Sequence, residues 1–429
     1  MLYENWLHTK IPNLNFPECP PLSEQTKTDF LVIGGGIAGL HSALRLLESG
    51  KKVVLLEKRM CGSSSSGQSA GFLTPESEED MSQLIKKHGI EKAKIIYQIP
   101  LDGVNLIINT IKKNNFNCDL RKQDSLYLSI KKSHDSRIEE EQQTREELDM
   151  PYEILDAKKI KKYHPGIGYT KGLKYSGSYG INSFVYCQEL KSLLIRKGVF
   201  IFEESEVHKI YNNIAITHLG SVKFENAIIC ADKLKKEFNE EWSNKYYHIQ
   251  TYLAISEPLS NKEMNSLFPQ GELMCWDTRW DYGYYRPIYG NRLLIGASSP
   301  WSAYYPKYYH NPRIIKKGIN LIKKRFPEIR DVRFTNYWSG LIDVSKDLTP
   351  IVDYDKNNKS IQYVMGCAGL NWAAYCGDYA ARRILYPKKI EDLSEFLGSN
   401  RKFHFSNLFQ TIFGKRITFA ISHLLEHLK

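Results

Sequence analysis

The chain has 429 residues with hydrophobic and charged contents of 42% and 25%, which predict a folded protein of two or three domains. Its net charge of +11 comes from basic residues spread along the whole sequence, which argues against a nucleic-acid surface. No apolar run reaches the roughly 18 residues of a membrane span, and the first residues lack the pattern of a signal peptide. We therefore expect a cytoplasmic protein whose eight scattered cysteines are free thiols.

The first clear elements lie in residues 29–58, which read DFLVIGGGIAGLHSALRLLESGKKVVLLEK. The apolar runs predict two strands, and the leucine and alanine spacing between them predicts a helix. In the G-x-G-x-x-G turn, Gly34 allows the tight turn, Gly36 lets backbone approach a pyrophosphate, and Gly39 lets the helix pack on the strand. Glu57 follows about 20 residues later, where an acid accepts hydrogen bonds from a ribose. The segment predicts a dinucleotide-binding unit.

The remaining sequence alternates between helical and strand-like patterns, and no internal repeat is visible. In chain order the predicted elements are a Ser/Gly-rich loop at 61–71, mainly helical sequence at 76–165, a helix at 186–197, strands within 199–232 and 248–300, a helix at 312–326 and a strand-to-helix passage at 361–385. This order predicts an α/β fold, in which a Rossmann-type domain is interleaved with a second domain built on antiparallel strands.

A single FAD fits this sequence better than a detachable NAD. A flavin enzyme that also binds NAD carries a second G-x-G-x-x-G, and the sequence has none. Residues 365–370, MGCAGL, instead end a predicted strand and begin a helix near the C-terminus. A helix start at this point would direct its dipole toward the flavin, where negative charge collects on reduction.

The chain resembles the FAD-dependent D-amino-acid oxidase and glycine oxidase superfamily, and within it most closely the γ-glutamylputrescine oxidoreductase branch. The resemblance covers roughly residues 25–385 and rests on the unit above, the loop GSSSSGQSAGF and the segments AIICAD, YYRPIYGNRLLIGA, WSGLIDVSKDLTP and GCAGLNW. It implies oxidation of a C–H bond beside an amine nitrogen, giving an imine that water hydrolyses. The contacts with FAD that it implies are Gly34, Gly36, Ile37, Ala38, Gly39, Glu57, Lys58, Ser66, Gly71, Val207, Ala231, Gly340, Gly366, Gly369 and Leu370.

Together, pattern and resemblance predict how the chain divides between a Rossmann-type FAD-binding domain and an antiparallel-sheet substrate domain. The predicted ranges are a lead-in at 1–27, the FAD-binding domain at 28–75, 176–245 and 331–387, mainly substrate domain at 76–175 and 246–330, and a basic amphipathic tail at 388–429.

Several positions depart from the family pattern. The loop has Gln68 and Ser69 where branch members often carry Arg-Asn, and it lacks the His and Arg of sarcosine-oxidase-like members, which argues against N-methylglycine as substrate. Those members also attach FAD to a cysteine near 337–341, where this chain has none, so we expect non-covalent FAD. Their oxygen-activating lysine would fall near 281–286, which contains no lysine. The electron acceptor, O2 or another compound, is therefore left open.

The substrate is expected to be a small amine or amino acid bound by the second domain. Arg286 is the candidate for a substrate carboxylate, because a guanidinium binds it in bidentate fashion; pairing with an acid such as Asp281 is the alternative. Tyr284 and Tyr285 alternate on one predicted strand, so one should face the pocket and the other the core. Tyr252 is a further candidate for the flavin face, with a place in the core as the alternative. No metal site is predicted.

The tail, residues 401–429, is basic and carries apolar residues at near-helical spacing. Such a helix can lie on the inner, anionic face of a membrane, or it can dock on the protein itself or on a second subunit. Two alternatives to amine oxidation also stay open: a flavoenzyme acting on a tRNA wobble-uridine side chain, and a flavin-binding protein without turnover.

Overall fold

The computed structural model describes residues 1–5, 16–76, 79–279, 283–298, 308–401, 409–414, 417–418 and 421. The strands in these ranges are β1 (Leu2–Tyr3), β2 (Gln25–Ile33), β3 (Val53–Leu56), β4 (Phe72–Leu73), β5 (Arg121–Lys122), β6 (Asp124–Ser129), β7 (Glu153–Asp156), β8 (Lys171–Tyr175), β9 (Tyr179–Gly180), β10 (Phe200–Phe202), β11 (Lys209–Tyr211), β12 (Ile214–Ile216), β13 (Ser221–Ile229), β14 (Tyr246–Ser256), β15 (Leu273–Asp277), β16 (Tyr284–Ile288), β17 (Arg292–Ala297), β18 (Phe334–Ser345), β19 (Ile351–Tyr354) and β20 (Ile361–Met365). The α-helices are α1 (Ile37–Glu48), α2 (Met81–His88), α3 (Ile90–Asn114), α4 (Asp135–Glu147), α5 (Ala157–Tyr163), α6 (Ser183–Arg196), α7 (Glu240–Ser243), α8 (Asn261–Leu267), α9 (Pro312–Arg325), α10 (Leu370–Leu385) and α11 (Ser394–Leu397), with further helical turns in the described part of the tail.

The glycine-rich turn belongs to an eight-stranded sheet. Strands β10, β3, β2, β13 and β20 pair in parallel, and β12, β11 and β19 extend the sheet with antiparallel pairs. Alternate residues of β2 pack into different cores: Phe30 and Val32 on the side of α1, and Leu31 and Ile33 on the opposite side. Burial on both faces explains why this strand reads as a continuous apolar run.

Two glycines allow helices from distant parts of the sequence to cross at close range. A Cβ at Gly377 in α10 would lie 2.0 Å from the carbonyl oxygen of Ala38 at the start of α1. A Cβ at Gly103 in α3 would lie 2.1 Å from the carbonyl oxygen of Asn371. These crossings bring the passage near residue 370 against the N-terminal turn, as the prediction of one extended FAD requires.

The second sheet has nine strands in the order β1-β18-β14-β17-β16-β15-β6-β8-β7. Strand β18 lies in this sheet because it pairs with β14 along almost its whole length, from Phe334 to Ser345. The range 331–387, predicted for the FAD-binding domain, thus contributes one strand to the other sheet. The lead-in contributes too, since Leu2 and Tyr3 pair with β18. The division into domains itself stays a prediction.

Among the described residues, every helix is either too short or too polar to span a lipid bilayer. All eight cysteines, which lie in described ranges, are free thiols.

His164 is fully buried in the core beneath the nine-stranded sheet, in a hydrogen-bonded chain. Its Nδ1 lies 2.7 Å from the carbonyl oxygen of Leu267, which can only accept, so Nδ1 carries the proton. Nε2 of the neutral ring then accepts from the hydroxyl of Tyr285, which in turn accepts from Tyr169 at 2.9 Å. Burial outweighs the Leu267 hydrogen bond and lowers the pKa of His164 to about 3.

We expect His164 to make folding stability depend on pH. Because its pKa falls from 6.5 to about 3 on folding, only the unfolded chain takes up this proton between these values, so stability decreases as pH falls from 6.5. The contribution lost by pH 4 is about 3 kcal/mol. Urea unfolding at several pH values, compared with His164→Gln, measures it: the variant should be less stable at pH 7 but lose less on acidification. The exposed His218→Gln serves as the control, and an unchanged slope in His164→Gln would contradict the assignment.

Candidate functional site

The turn after β2 has no space for side chains at two of its glycines. Gly34 has a φ of +107°, and a Cβ there would lie 2.7 Å from the carbonyl oxygen of Cys230 at the end of β13. A Cβ at Gly39 would lie 1.9 Å from the carbonyl oxygen of Gly34. Glycine at both positions therefore lets α1 begin directly against the sheet, as the spacing predicts.

The first turn of α1 is arranged to bind an anion. Gly36 is its N-cap and offers no side chain to the helix amides. The Oγ of Ser66 accepts from the N–H of Ile37 at 3.1 Å, so a neighbouring loop also approaches this end of the helix. Helix N-termini favour negative charge because their N–H groups and dipole point outward.

Glu57 lies at the end of β3 and closes the turn from the other side. Its Oε2 accepts from the N–H of Gly35 at 2.6 Å, and its Oε1 accepts from the N–H of Arg59 at 2.9 Å. Burial raises the pKa of this carboxyl, and the two backbone hydrogen bonds oppose that rise. Each carboxylate oxygen keeps a second lone pair for a ligand such as a ribose hydroxyl.

A cavity of ≈ 440 Å³ extends from this turn across the carboxyl ends of the parallel strands. Ligands of open α/β sheets bind at this edge. The predicted cofactor contacts that line it are Gly34, Gly36, Ile37, Ala38, Glu57, Lys58, Ser66, Val207, Ala231 and Gly366. The structure thus brings together residues that are more than 300 positions apart in the sequence.

The five other predicted contacts lie outside the lining of this cavity. Gly39 and Gly71 are tightly packed; a Cβ at Gly71 would lie 1.9 Å from the carbonyl oxygen of Ile181. Gly369, with a φ of +104°, is the N-cap of α10, and Leu370 is its first, buried residue. Gly340 lies within β18 opposite Thr251. Contact of these residues with a cofactor stays a prediction.

The sequence reasoning missed a charged cluster that lines the cavity immediately after β13. The Nζ of Lys233 lies 2.6 Å from Asp232 and 3.0 Å from the Oγ of Ser65, and Ser64 is also within hydrogen-bond distance. Ser65 donates to Asp232 and lies 2.9 Å from the carbonyl oxygen of Leu341 in β18. The cluster therefore joins the serine-rich loop to both sheets.

The cluster keeps both of its charges. Burial favours the neutral acid at Asp232, but attraction to Lys233 and hydrogen bonds from Lys233 and Ser65 outweigh it and lower the pKa of Asp232 to about 2.

The backbone N–H of Lys233 donates to Asp343, which also lies 2.8 Å from Nδ1 of His248. Lys233 has a φ of +54°, a conformation few non-glycine residues adopt. A sequence signal existed: an Asp-Lys pair follows the apolar run AIIC, where the carboxyl end of a parallel strand places side chains at a site.

The predicted substrate residues lie outside the lining of this cavity. Arg286 is fully buried, and its guanidinium donates to the carbonyl oxygens of Ala70 at 2.8 Å and Ile181 at 2.6 Å. Burial lowers its pKa to about 10, so the side chain is still protonated at neutral pH. Arg286 therefore joins the serine-rich loop, at Ala70, to Ile181, the residue that follows β9. Whether it also binds a carboxylate stays a prediction.

The tyrosines of β16 alternate as expected. Tyr285 packs in the core around His164, whereas Tyr284 is half-buried on the other face, 5.5 Å from the ring of Phe72. Tyr252 is fully buried and donates to the carbonyl oxygen of Tyr309 at 2.6 Å. Its predicted contact with a flavin face is untested.

Comparison with known proteins agrees with this geometry. The family described as FAD dependent oxidoreductase matches residues 29–383. The chain is 28% identical over 359 residues to the probable oxidoreductase OrdL of Haemophilus influenzae, covering 82% of this chain and 80% of that protein. It is 26% identical over 354 residues to the gamma-glutamylputrescine oxidoreductase of Escherichia coli, covering 81% of each. The crystal structure of glycine oxidase from Geobacillus kaustophilus superposes with a TM-score of 0.77 at 16% identity, over 88% of this chain and all of that one, and shows the same fold. The chain belongs to the family of FAD-dependent oxidoreductases.

Proposed function

We propose that this enzyme oxidises the C–H bond beside the nitrogen of a small amine or amino acid, with non-covalent FAD accepting the hydride and water hydrolysing the resulting imine. The observation that carries the proposal is the cavity, in which the N-terminal glycine turn, Glu57 and the C-terminal Gly366 line one continuous space. The family membership supports a flavin reaction, and relatives named for oxidation of glycine and gamma-glutamylputrescine support the substrate class.

The residues present fit FAD. The glycines of the turn leave room for a pyrophosphate beside the start of α1, and Glu57 has free lone pairs for a ribose. The Oγ of Ser63, which lines the cavity, is buried and has no hydrogen-bond partner among the described residues. A buried hydroxyl without a partner is unfavourable, and a cofactor oxygen or hydroxyl would supply one.

The thiols in the cavity argue for non-covalent binding. Cys230 and Cys367 both line it. Burial raises the pKa of Cys230 to about 12, and a hydrogen bond with Cys376, together with burial, holds the pKa of Cys367 well above its usual range. Because the thiolate is the reactive form, neither side chain is a good nucleophile at neutral pH.

The substrate would bind on the side of the loop that carries Gln68. The backbone carbonyl of Gln68 accepts from Trp338 at 3.0 Å, and its side chain lies 3.4 Å from the hydroxyl of Tyr308. Tyr284 and Trp338 belong to one small apolar cluster, so Tyr284 is our candidate for a wall of this space. Arg286 contacts the same loop at Ala70. It would either hold the loop in position or bind a substrate carboxylate through its guanidinium.

The visible spectrum of the purified protein, recorded without oxygen, tests the proposal. We expect a yellow protein that one compound bleaches within a panel of γ-glutamylputrescine, putrescine, glycine, L-proline and D-amino acids. Free FAD with the same panel is the control, and acid precipitation should release the yellow colour into the supernatant. Readmitting air then separates an oxidase from a dehydrogenase. A yellow protein that no amine bleaches would overturn the substrate class, and a protein that cannot bind FAD would overturn the whole proposal.

Lys233 offers a test of the cavity that does not depend on the substrate. Lys233→Met leaves the Asp232 carboxylate without its cation in a cavity that would take a dianionic pyrophosphate. We expect the Kd for FAD to rise about tenfold or more, because the unpaired charge repels the cofactor. Titration of the apoprotein with FAD, followed by quenching of flavin fluorescence, measures the change.

The double variant Asp232→Asn with Lys233→Met is the matched control. It removes both charges and keeps the shapes of the side chains, so most of the affinity should return. If both variants bind FAD with the same weakened affinity, the loss comes from packing and the electrostatic explanation fails.

A further inference from the structure

The C-terminal tail begins as a docked segment. Arg401 forms an ion pair with Asp347 at 2.7 Å and donates to the carbonyl oxygen of Pro350 at 3.1 Å. Further along, the side-chain oxygen of Gln410 accepts from the hydroxyl of Tyr247 in β14 at 2.6 Å. Thr418 is only 1% exposed. The contacts of Arg401 and Gln410 hold these two points of the tail on the body of the protein.

The same segment leaves large apolar side chains exposed to solvent. Ile412 is 65% exposed, Phe413 47% and Ile417 50%. The ring centroid of Phe413 lies 4.5 Å from that of Phe409, which is half-buried one helical turn earlier. Docking at Arg401 and Gln410 thus leaves three exposed apolar residues, Ile412, Phe413 and Ile417, without an explanation.

The sequence that surrounds these three residues carries charge of mainly one sign. Residues 412–417 read IFGKRI, so Lys415 and Arg416, which lie outside the described residues, stand between Phe413 and Ile417 in the sequence. Beyond Arg401, residues 402–429 contain four lysines or arginines and one acid, Glu426. Apolar side chains combined with adjacent cations match an anionic lipid surface, in which the apolar groups enter the headgroup boundary and the cations meet lipid phosphates.

We propose that Ile412, Phe413 and Ile417, with Lys415 and Arg416, attach this enzyme peripherally to an anionic lipid bilayer. A second copy of the chain is a poorer occupant, because the basic tails of two copies would repel each other at a shared interface.

Sedimentation with vesicles tests the proposal on the full chain purified with its FAD. Vesicles of phosphatidylcholine with about 30 mol% phosphatidylglycerol should carry the protein into the pellet, and added salt should release it. Vesicles of phosphatidylcholine alone should bind it far less. Lys415→Gln with Arg416→Gln should lower the partition coefficient about 30-fold, because each cation near an anionic surface contributes about fivefold. Ile412→Ser with Phe413→Ser should lower it at least tenfold.

Two matched double variants control for general effects of charge and exposed apolar area. Lys112→Gln with Lys113→Gln removes two exposed lysines on α3, and Ile167→Ser with Leu219→Ser removes apolar residues that are 58% and 60% exposed. Both should bind vesicles like the unchanged protein. The proposal is overturned if anionic vesicles leave the protein in the supernatant, or if the tail variants bind as well as the controls. It is also overturned if sedimentation equilibrium shows a dimer that the two serine substitutions in the tail dissociate while vesicle binding is absent.

Discussion

Replacing Gly34 by alanine is expected to remove most of the FAD from the purified enzyme and to destabilise the fold. The new Cβ would lie 2.7 Å from the carbonyl oxygen of Cys230 and 2.9 Å from its carbonyl carbon, and both are backbone atoms that cannot turn away. The φ of +107° adds strain that alanine rarely accepts. Relief requires the turn to move off the end of β13, which would tilt the first amides of α1 away from the position proposed for the pyrophosphate. We expect a loss of about 3 kcal/mol in unfolding free energy and at least a tenfold loss of FAD content.

The control for this substitution separates backbone strain from the collision. Gly50 also has a positive φ, of +74°, but a Cβ at this position meets no atom within 4 Å. Gly50→Ala should therefore cost about 1 kcal/mol and leave the FAD content unchanged. Denaturant unfolding and the ratio of flavin to protein absorbance measure both quantities. Equal FAD content in the two variants would show that the position of the turn does not control cofactor binding.

The glycine turn shows how much of the site the sequence could predict. The requirements of a glycine turn are local: Gly34, Gly36 and Gly39 are set by the few atoms around each of them, so their spacing predicts the geometry of the turn. The start of α10 could be predicted for the same reason, because a strand, a glycine pair and a helix follow one another. The FAD-dependent family, the α/β fold and the type of enzyme are confirmed.

What the sequence could not predict depends on pairings between distant segments. Strand β18 lies in the range 331–387, which the sequence pattern assigns to the FAD-binding domain. Only its pairing with β14 shows that it belongs to the other sheet. Arg286 looks like a free cation in the sequence, yet the carbonyl oxygens that its guanidinium binds lie more than 100 positions away. Lys233 likewise acquires its place from serines of a loop, of which Ser65 precedes it by 168 positions. Tertiary contacts of this kind leave no local pattern.

A buried ion pair between α6 and the residue that follows β10 supports the serine-rich loop, and breaking it is expected to have the largest effect on stability. Lys191 and Glu203 are 1% and 6% exposed, and their charged atoms lie 3.2 Å apart. Glu203 also accepts from the N–H of Cys61 at 2.7 Å, at the start of the serine-rich loop. Lys191→Met leaves the carboxylate buried without its cation, so we expect a loss of about 3–5 kcal/mol in unfolding free energy. Because the loop carries Ser63 and Ser66 into the cavity, FAD binding should weaken as well.

Two variants test this explanation by denaturant unfolding. Adding Glu203→Gln to Lys191→Met removes the unpaired charge but keeps an oxygen for the N–H of Cys61, so the double variant should recover all but about 1–2 kcal/mol. Lys86→Met breaks a surface pair with Glu140 that is shorter, at 2.6 Å, but has side chains 59% and 51% exposed. It should cost less than about 1 kcal/mol, because solvent screens exposed charges. If Glu203→Gln rescues nothing, the loss comes from the shape of the Lys191 side chain, and the anchoring of the loop through a compensated charge is wrong.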